Sequence, residues 1–210
     1  MPGGAGRAIS DALRRVPVWL VYVVGFVPAL VYFYLGVTDQ LGADPLKVLE
    51  KSLGLWALRF LIATLTVTPL RETLGVNLIR FRRALGLLAF YYAALHLTTY
   101  LVLDQGLDWP RIWADIVKRP YITIGMAAFL VLVPLALTSN NASIRRLGAH
   151  GWARLHKLVY FAAAAGAVHF VLLVKSWPPE PLVYAAIVAA LLAYRLLRPM
   201  WQPRRRLARA

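Results

Sequence analysis

Six long stretches of this sequence carry almost no charge, and each is close to the length that crosses a bilayer. About 20 consecutive apolar residues in a helix span the roughly 30 Å hydrocarbon layer. The stretches are residues 16–36, 53–70, 84–103, 121–137, 152–174 and 181–197. Lipid offers no water to backbone N–H and C=O groups, so each run must close its hydrogen bonds within itself, which selects helix. The chain therefore reads as an all-α fold, a polytopic membrane helix bundle with six transmembrane helices. Composition agrees: 60% of the 210 residues are hydrophobic, where a soluble domain has about half. Pro28 and Pro134 fall inside runs and are expected to kink their helices. The first run is too long for a signal-peptide core and no small-residue cleavage site follows it, so it is read as a mature helix.

The charges between the runs set the orientation. Arg7, Arg14, Arg15, Arg71, Arg80, Arg82, Arg83, Arg145, Arg146, Arg154, Lys157, Arg195, Arg198, Arg204, Arg205, Arg206 and Arg209 fall on one side. Lys47, Lys51, Arg111, Lys118, Arg119 and Lys175 fall on the other. Cytoplasmic loops collect Lys and Arg, so the richer side, with both termini, is expected to be cytoplasmic. The chain divides into a cytoplasmic N-terminal segment (1–15), a membrane domain (16–197) and a basic cytoplasmic tail (198–210). The net charge of +15 is thereby explained without nucleic acid, because the cations flank apolar runs and form no continuous stripe. No cysteine is present, which excludes disulfides, thiolate haem ligation and cysteine-ligated iron–sulfur or zinc sites.

Ionisable residues inside a membrane are costly and mark function. His96 lies in the third run, and His156 and His169 lie in the fifth. A lone intramembrane histidine is often an interhelical hydrogen bond; three on two helices point to a cofactor. The third and fifth helices run in the same direction. His96 precedes the outer charge Asp104, and His169 precedes Lys175, by similar distances. They are expected at one depth in the outer half, where two imidazoles on facing helices can bind one iron axially. His156 is thirteen residues before His169, or roughly 20 Å of helix, near the inner surface. Two redox centres at those depths would nearly bridge the bilayer.

Arg82 lies fourteen residues before His96, within about 40° of the same helix face. It is either an ordinary positive flank or a partner of an inner haem at His156. Arg59 sits inside the second run, where it either snorkels or pairs with a haem propionate or a quinone oxygen. His150 reads as a solvated loop residue. The small residues Ala162–Ala167, with Gly166 among them, serve close helix packing, room for a flat macrocycle, or both. In the loop after the third run, Asp104, Asp108, Trp109, Trp113 and Asp115 form either a docking patch or an interfacial tryptophan belt.

Four segments carry a family resemblance: WALRFLIATLTVTPLR (56–71), IRFRRALGLLAFYYAALHLTTYLVLDQGLDW (79–109), KRPYITIGMAAFLVLVPLALTS (118–139) and IRRLGAHGWARLHKLVYFAAAAGAVHFVLLVKS (144–176). In these the chain resembles the MsrQ family, the haem-binding membrane subunits of the bacterial periplasmic methionine sulfoxide reductase system. That family belongs to the ferric-reductase-like transmembrane group, which includes the NADPH oxidases. The resemblance implies haem b, one or two per chain, ligated by His96, His156 and His169, and FMN on residues not assigned. It implies an inner-membrane protein passing electrons from the quinone pool, or from a cytosolic flavin reductase, to a periplasmic molybdopterin subunit that repairs oxidised proteins. The wider group commonly has two histidines on the third helix; Arg82 stands in place of one here.

Two other readings compete. A ferric or oxygen reductase of the same fold would need a cytosolic flavin/NAD(P)H domain, for which no run of this sequence has room. A small transporter or proton channel would use buried acids or inverted repeats; the acids all fall outside the runs and no repeat is visible. No catalytic triad or acid–base pair appears, so bond chemistry is expected in a partner.

Overall fold

The computed structural model describes residues 4–174, 176 and 178–201. Lys175 and the tail arginines Arg204, Arg205, Arg206 and Arg209, which enter the charge argument above, lie outside the described residues. The described chain is helical, with no strand among the described residues: α1 (Gly4–Arg15), α2 (Val18–Val37), α3 (Pro45–Thr73), α4 (Arg82–Thr98), α5 (Trp109–Lys118), α6 (Pro120–Leu137), α7 (Asn141–Leu155), α8 (Val159–Leu173) and α9 (Pro179–Trp201). Six helical segments are long and apolar enough to cross a membrane: Val18–Val37, Pro45–Thr73, Ile79–Asp104, Pro120–Leu137, Asn141–Leu173 and Pro179–Pro199. The protein is thus a multi-pass membrane protein. Six crossings return the chain to the side it started from. The termini share one end, because Arg80 donates to the Arg14 carbonyl and Tyr194 donates to Glu72 at 2.9 Å.

α3 is the central helix. It packs on α4 along its length and touches α2, α8 and α9. α6 and α8 form the other closely packed pair. The core between them is hydrocarbon: Leu58, Leu61, Leu65, Ala89, Leu132, Ala163 and Phe170. α2 leaves Val23, Val24, Val27 and Leu30 exposed, as a helix facing lipid does. It is fastened at Pro28. A proline removes one N–H and crowds the preceding turn. Here the fully buried Tyr92 enters the opened ladder, donating to Gly25 O at 2.8 Å and accepting from Ala29 N at 2.9 Å.

Four features differ from the sequence reading. α3 begins at Pro45, about two turns earlier than the apolar run, because Asp44 caps it by accepting from Lys47 N at 3.3 Å with proline in the first turn. Glu50 is therefore inside a spanning helix, which corrects the expectation that all acids lie outside the spans. α1 is a helix where the sequence suggested only a segment; Ser10 anchors it, accepting from Asn77 N at 3.0 Å beside the Gly75 carbonyl. The loop after the third span contains α5, capped by Asp108 accepting from Arg111 N at 3.1 Å. α7 breaks at Gly148, whose φ of 68° is open to glycine and strained for other residues. His150 thus lies in a helix rather than a loop; it is exposed, as expected.

Candidate cofactor site

His96 sits in the last turn of α4, just before the helix widens to a π turn over Thr99–Asp104. His169 sits in the last turns of α8. The fold brings the two rings together with centroids 6.2 Å apart and planes inclined by 72°. Imidazole nitrogen–metal bonds are about 2.0–2.1 Å, and a ring centre lies about 1.1 Å behind its nitrogen, so one metal shared by two rings sets their centres about 6.3 Å apart. The spacing suits a shared ion.

The backbone fixes how each ring is turned. His96 Nδ1 lies 2.9 Å from the Glu50 carbonyl and His169 Nδ1 lies 2.6 Å from the Tyr121 carbonyl. A carbonyl only accepts, so each Nδ1 carries the proton and donates. That assignment leaves Nε2 of both rings with a free lone pair, the arrangement found in metal-ligating histidines. Two glycines make room for the rings. A Cβ at Gly54 would stand 3.1 Å from His96 Nδ1, and one at Gly125 would stand 2.8 Å from His169 Nδ1. Each imidazole thus rests on the bare backbone of a neighbouring span, α3 for His96 and α6 for His169.

Both histidines line a cavity of about 460 Å³ between α3, α4, α6 and α8, within the range of cofactor sites. Its α8 wall is the stripe Ala162, Gly166, His169, Phe170 and Leu173, spaced as one helix face. The small residues divide between two surroundings: Ala162 and Gly166 open onto the cavity, while Ala163 and Ala167 pack in the core. At the end away from the termini, the lining becomes charged, with Lys47, Glu50, Lys51, Asp104 and Arg119. Among the described residues, no three His, Asp or Glu groups gather to hold an ion. Two imidazoles alone leave a metal undersupplied with protein ligands, and a macrocycle fits that donor set.

His156 lies apart from this pair, on the 3-10 turn His156–Leu158 between α7 and α8. Its ring stacks on Trp152 at 3.8 Å between centroids. Thr138 donates to the Pro134 carbonyl at 2.7 Å, so its oxygen accepts from His156 Nε2 at 3.0 Å. Arg82, at the start of α4, and Arg83 are near enough to act on His156 electrostatically. Arg59 does not line the large cavity. It donates from Nε to Tyr184 Oη at 2.8 Å and lies 4.8 Å over the Trp56 ring. Its charge is held by aromatic faces, and among the described residues it has no carboxylate partner. His150 is exposed near Arg154, 3.3 Å between Nε2 and Nη2.

The sequence reading did not single out Gly54, Gly125, or the carbonyls of Glu50 and Tyr121. Main-chain acceptors carry no residue signature. It also took Arg195 as a flanking cation. In α9 the side chain turns inward and donates to Tyr160 Oη and Leu65 O, both at 3.2 Å.

Fold and site together define a polytopic helical membrane protein in which two imidazoles from different spans face each other across an apolar cavity. The sequence profile described as "Ferric reductase like transmembrane component" matches residues 53–167. The chain is 65% identical over 187 residues to proteins named "Protein-methionine-sulfoxide reductase heme-binding subunit MsrQ" from Brucella ovis and Brucella canis, covering 89% of this chain and 84% of each relative. The chain belongs to the MsrQ family, among the ferric-reductase-like transmembrane components.

Proposed function

We propose that this chain is a haem b electron-transfer subunit of a bacterial methionine sulfoxide reductase system. The observation that carries the reading is the His96–His169 pair: rings 6.2 Å apart, each Nδ1 tied to a backbone carbonyl, each Nε2 left free. Relatives of this length and identity are named heme-binding subunits of that reductase. Haem supplies a one-electron centre when bound. The chain's own residues do the rest: Gly54 and Gly125 admit the imidazoles, the carbonyls hold them in one tautomer, and Leu58, Leu61, Phe129 and Leu132 keep water from the cavity. No bond chemistry is assigned to this chain.

In this reading the end bearing the termini is cytoplasmic, as the Lys/Arg bias favours, and the membrane is the bacterial inner membrane. The His96–His169 site lies toward the periplasm, near a molybdopterin partner that repairs oxidised proteins. His156 holds a second haem near the cytoplasmic surface, with Arg82 beside it, and receives electrons from the quinone pool or a cytosolic flavin reductase. That assignment requires His156 Nε2 to exchange Thr138 for iron. Arg59 then acts as a cation held in the membrane by Trp56 and Tyr184, away from the outer site. We assign no residues to the FMN that the family resemblance implies.

Reduced-minus-oxidised spectra with haem stoichiometry test the proposal. His96→Ala and His169→Ala should each remove or convert the same low-spin population, and the double variant should be no worse than either single, since the two act as one unit. His156→Ala should affect a different population, and His150→Ala none. A loss shared by His156→Ala and His169→Ala, with His96→Ala silent, would refute the pairing.

A further inference from the structure

We propose that Lys51 and Arg119 hold the carboxylate edge of the porphyrin seated between His96 and His169, so that its propionates face the loop end of the bundle. This rests on the haem reading above and adds the direction in which the macrocycle is inserted. The observation is the polarity of the cavity along its length. From Gly54 and Gly125, which mark the level of the two imidazoles, toward the termini, the lining is Ala57, Leu58, Leu61, Ala128, Phe129 and Leu132. Toward the loop end it is charged, and the cations are Lys47, Lys51 and Arg119. Haem b carries both carboxylates on one edge and hydrocarbon substituents around the rest. A carboxylate buried against hydrocarbon without a partner is strongly disfavoured, so the cavity accepts the macrocycle one way round.

Lys51 and Arg119 come from the two walls that also seat the imidazoles. Lys51 is three residues before Gly54 on α3, under one turn toward the loop end. Arg119 is the N-cap residue of α6, six residues before Gly125. Lys47 is less free, since its ammonium sits 2.5 Å from the Asp44 carboxylate that caps its own helix. Lys51 and Arg119 each keep one carboxylate partner at the rim, Glu180 at 2.9 Å and Asp115 at 3.2 Å. Arg119 also donates to Tyr121 Oη at 3.4 Å. Both rim pairs are about half exposed on the cation side, 52% and 51%, and such pairs are weak enough to be shared with a second anion. An ammonium offers three donors and a guanidinium five, so neither group is filled. Glu50 and Asp104 line the same end. Without the two cations, an incoming carboxylate edge would meet Glu50 and Asp104 with only Lys47, already paired to Asp44, to offset them.

The test compares protohaem IX with its dimethyl ester, which lacks the carboxylates, titrated into the haem-free full chain in detergent. The unaltered chain should bind protohaem on the order of tenfold more tightly than the ester, as two partly screened ion pairs provide. The double variant Lys51→Met with Arg119→Met should bind both porphyrins alike. The charge-keeping variants Lys51→Arg and Arg119→Lys should retain the preference. A low-spin spectrum with the ester shows that the double variant still folds and presents both imidazoles. With protohaem, its midpoint potential should fall, because two cations that favour the added electron are gone. An unchanged preference in the double variant, or no preference in the unaltered chain alongside low-spin binding of both porphyrins, overturns this inference alone. Failure of the unaltered chain to give a low-spin spectrum with either porphyrin overturns the haem reading and this inference with it.

Discussion

Replacing Gly125 by alanine puts a methyl group where the structure has no room. The new Cβ would stand 2.8 Å from His169 Nδ1, 3.0 Å from Cε1 and 3.3 Å from Cγ. Ordinary contact begins at about 3.5 Å, so the ring must retreat by about 0.7 Å. The ring is also tied to the Tyr121 carbonyl at 2.6 Å, and retreat stretches that bond while moving Nε2 off its aim. Overpacking of this kind costs about 1–3 kcal/mol, which corresponds to roughly 5- to 150-fold in affinity if it falls on the bound state. Gly54→Ala is the milder case. Its Cβ would lie 3.1 Å from His96 Nδ1, needing a shift of about 0.4 Å. Gly86→Ala, with nothing within 4 Å of its Cβ, is the control and gains helix propensity of about 1 kcal/mol. Haem dissociation constants, measured beside reduced-minus-oxidised spectra, should be largest for Gly125→Ala, smaller for Gly54→Ala and unaltered for Gly86→Ala. Normal haem affinity in Gly125→Ala, or a reversed order, would show that the imidazoles are not seated as described.

Tyr92→Phe should lower the unfolding free energy by about 2 kcal/mol, because it strands the Gly25 carbonyl and the Ala29 N–H at the Pro28 kink; thermal unfolding in detergent measures it, and no change would mean that the kink repairs its own ladder. Reporter fusions after Gly106 and after Pro178 should both report the periplasmic side, and a cytoplasmic signal at either would overturn the orientation. Trp109→Ala with Trp113→Ala should slow electron delivery to the periplasmic partner while leaving the haem spectrum intact, since these rings are 64% and 69% exposed on α5; unchanged kinetics would favour their seating in the lipid interface. Asp108 is the wrong residue for that experiment, because its carboxylate caps α5.

The sequence disclosed the six spans because long uncharged runs have few physical solutions. It located their polar ends less well. α3 reaches out to Pro45 because a cap and a proline continue a helix past its apolar stretch, and hydropathy sees neither. Glu50 was thereby misplaced outside the spans. The depth argument placed His96 and His169 at one level from charge positions alone, and the rings do meet. What faces Nδ1 was illegible, since every residue has a carbonyl and only the fold says which one arrives. Arg59 was visible as an expensive cation and Arg195 only as a flanking one, and their partners Tyr184 and Tyr160 come from helices more than thirty residues away. Asp115 illustrates the same limit. It was grouped with a docking patch or a tryptophan belt, yet it turns toward Arg119 and accepts from Tyr100 Oη at 3.3 Å.

Both imidazoles donate from Nδ1 to the main chain of an adjacent span rather than to a carboxylate or amide side chain. The strength of that bond helps set the basicity of the ligating nitrogen. Substitutions at Glu50 or Tyr121 exchange a side chain and leave the carbonyl where it was. In the proposed haem site, the electronic character of the two imidazoles is thus sheltered from side-chain exchange at Glu50 and Tyr121. With the glycine seats kept, retuning comes through helix displacement, by a slide of α3 or α6 that lengthens or shortens an N–H···O contact. In the proposed complex, a partner docked on the α5–α6 corner would act on that coordinate.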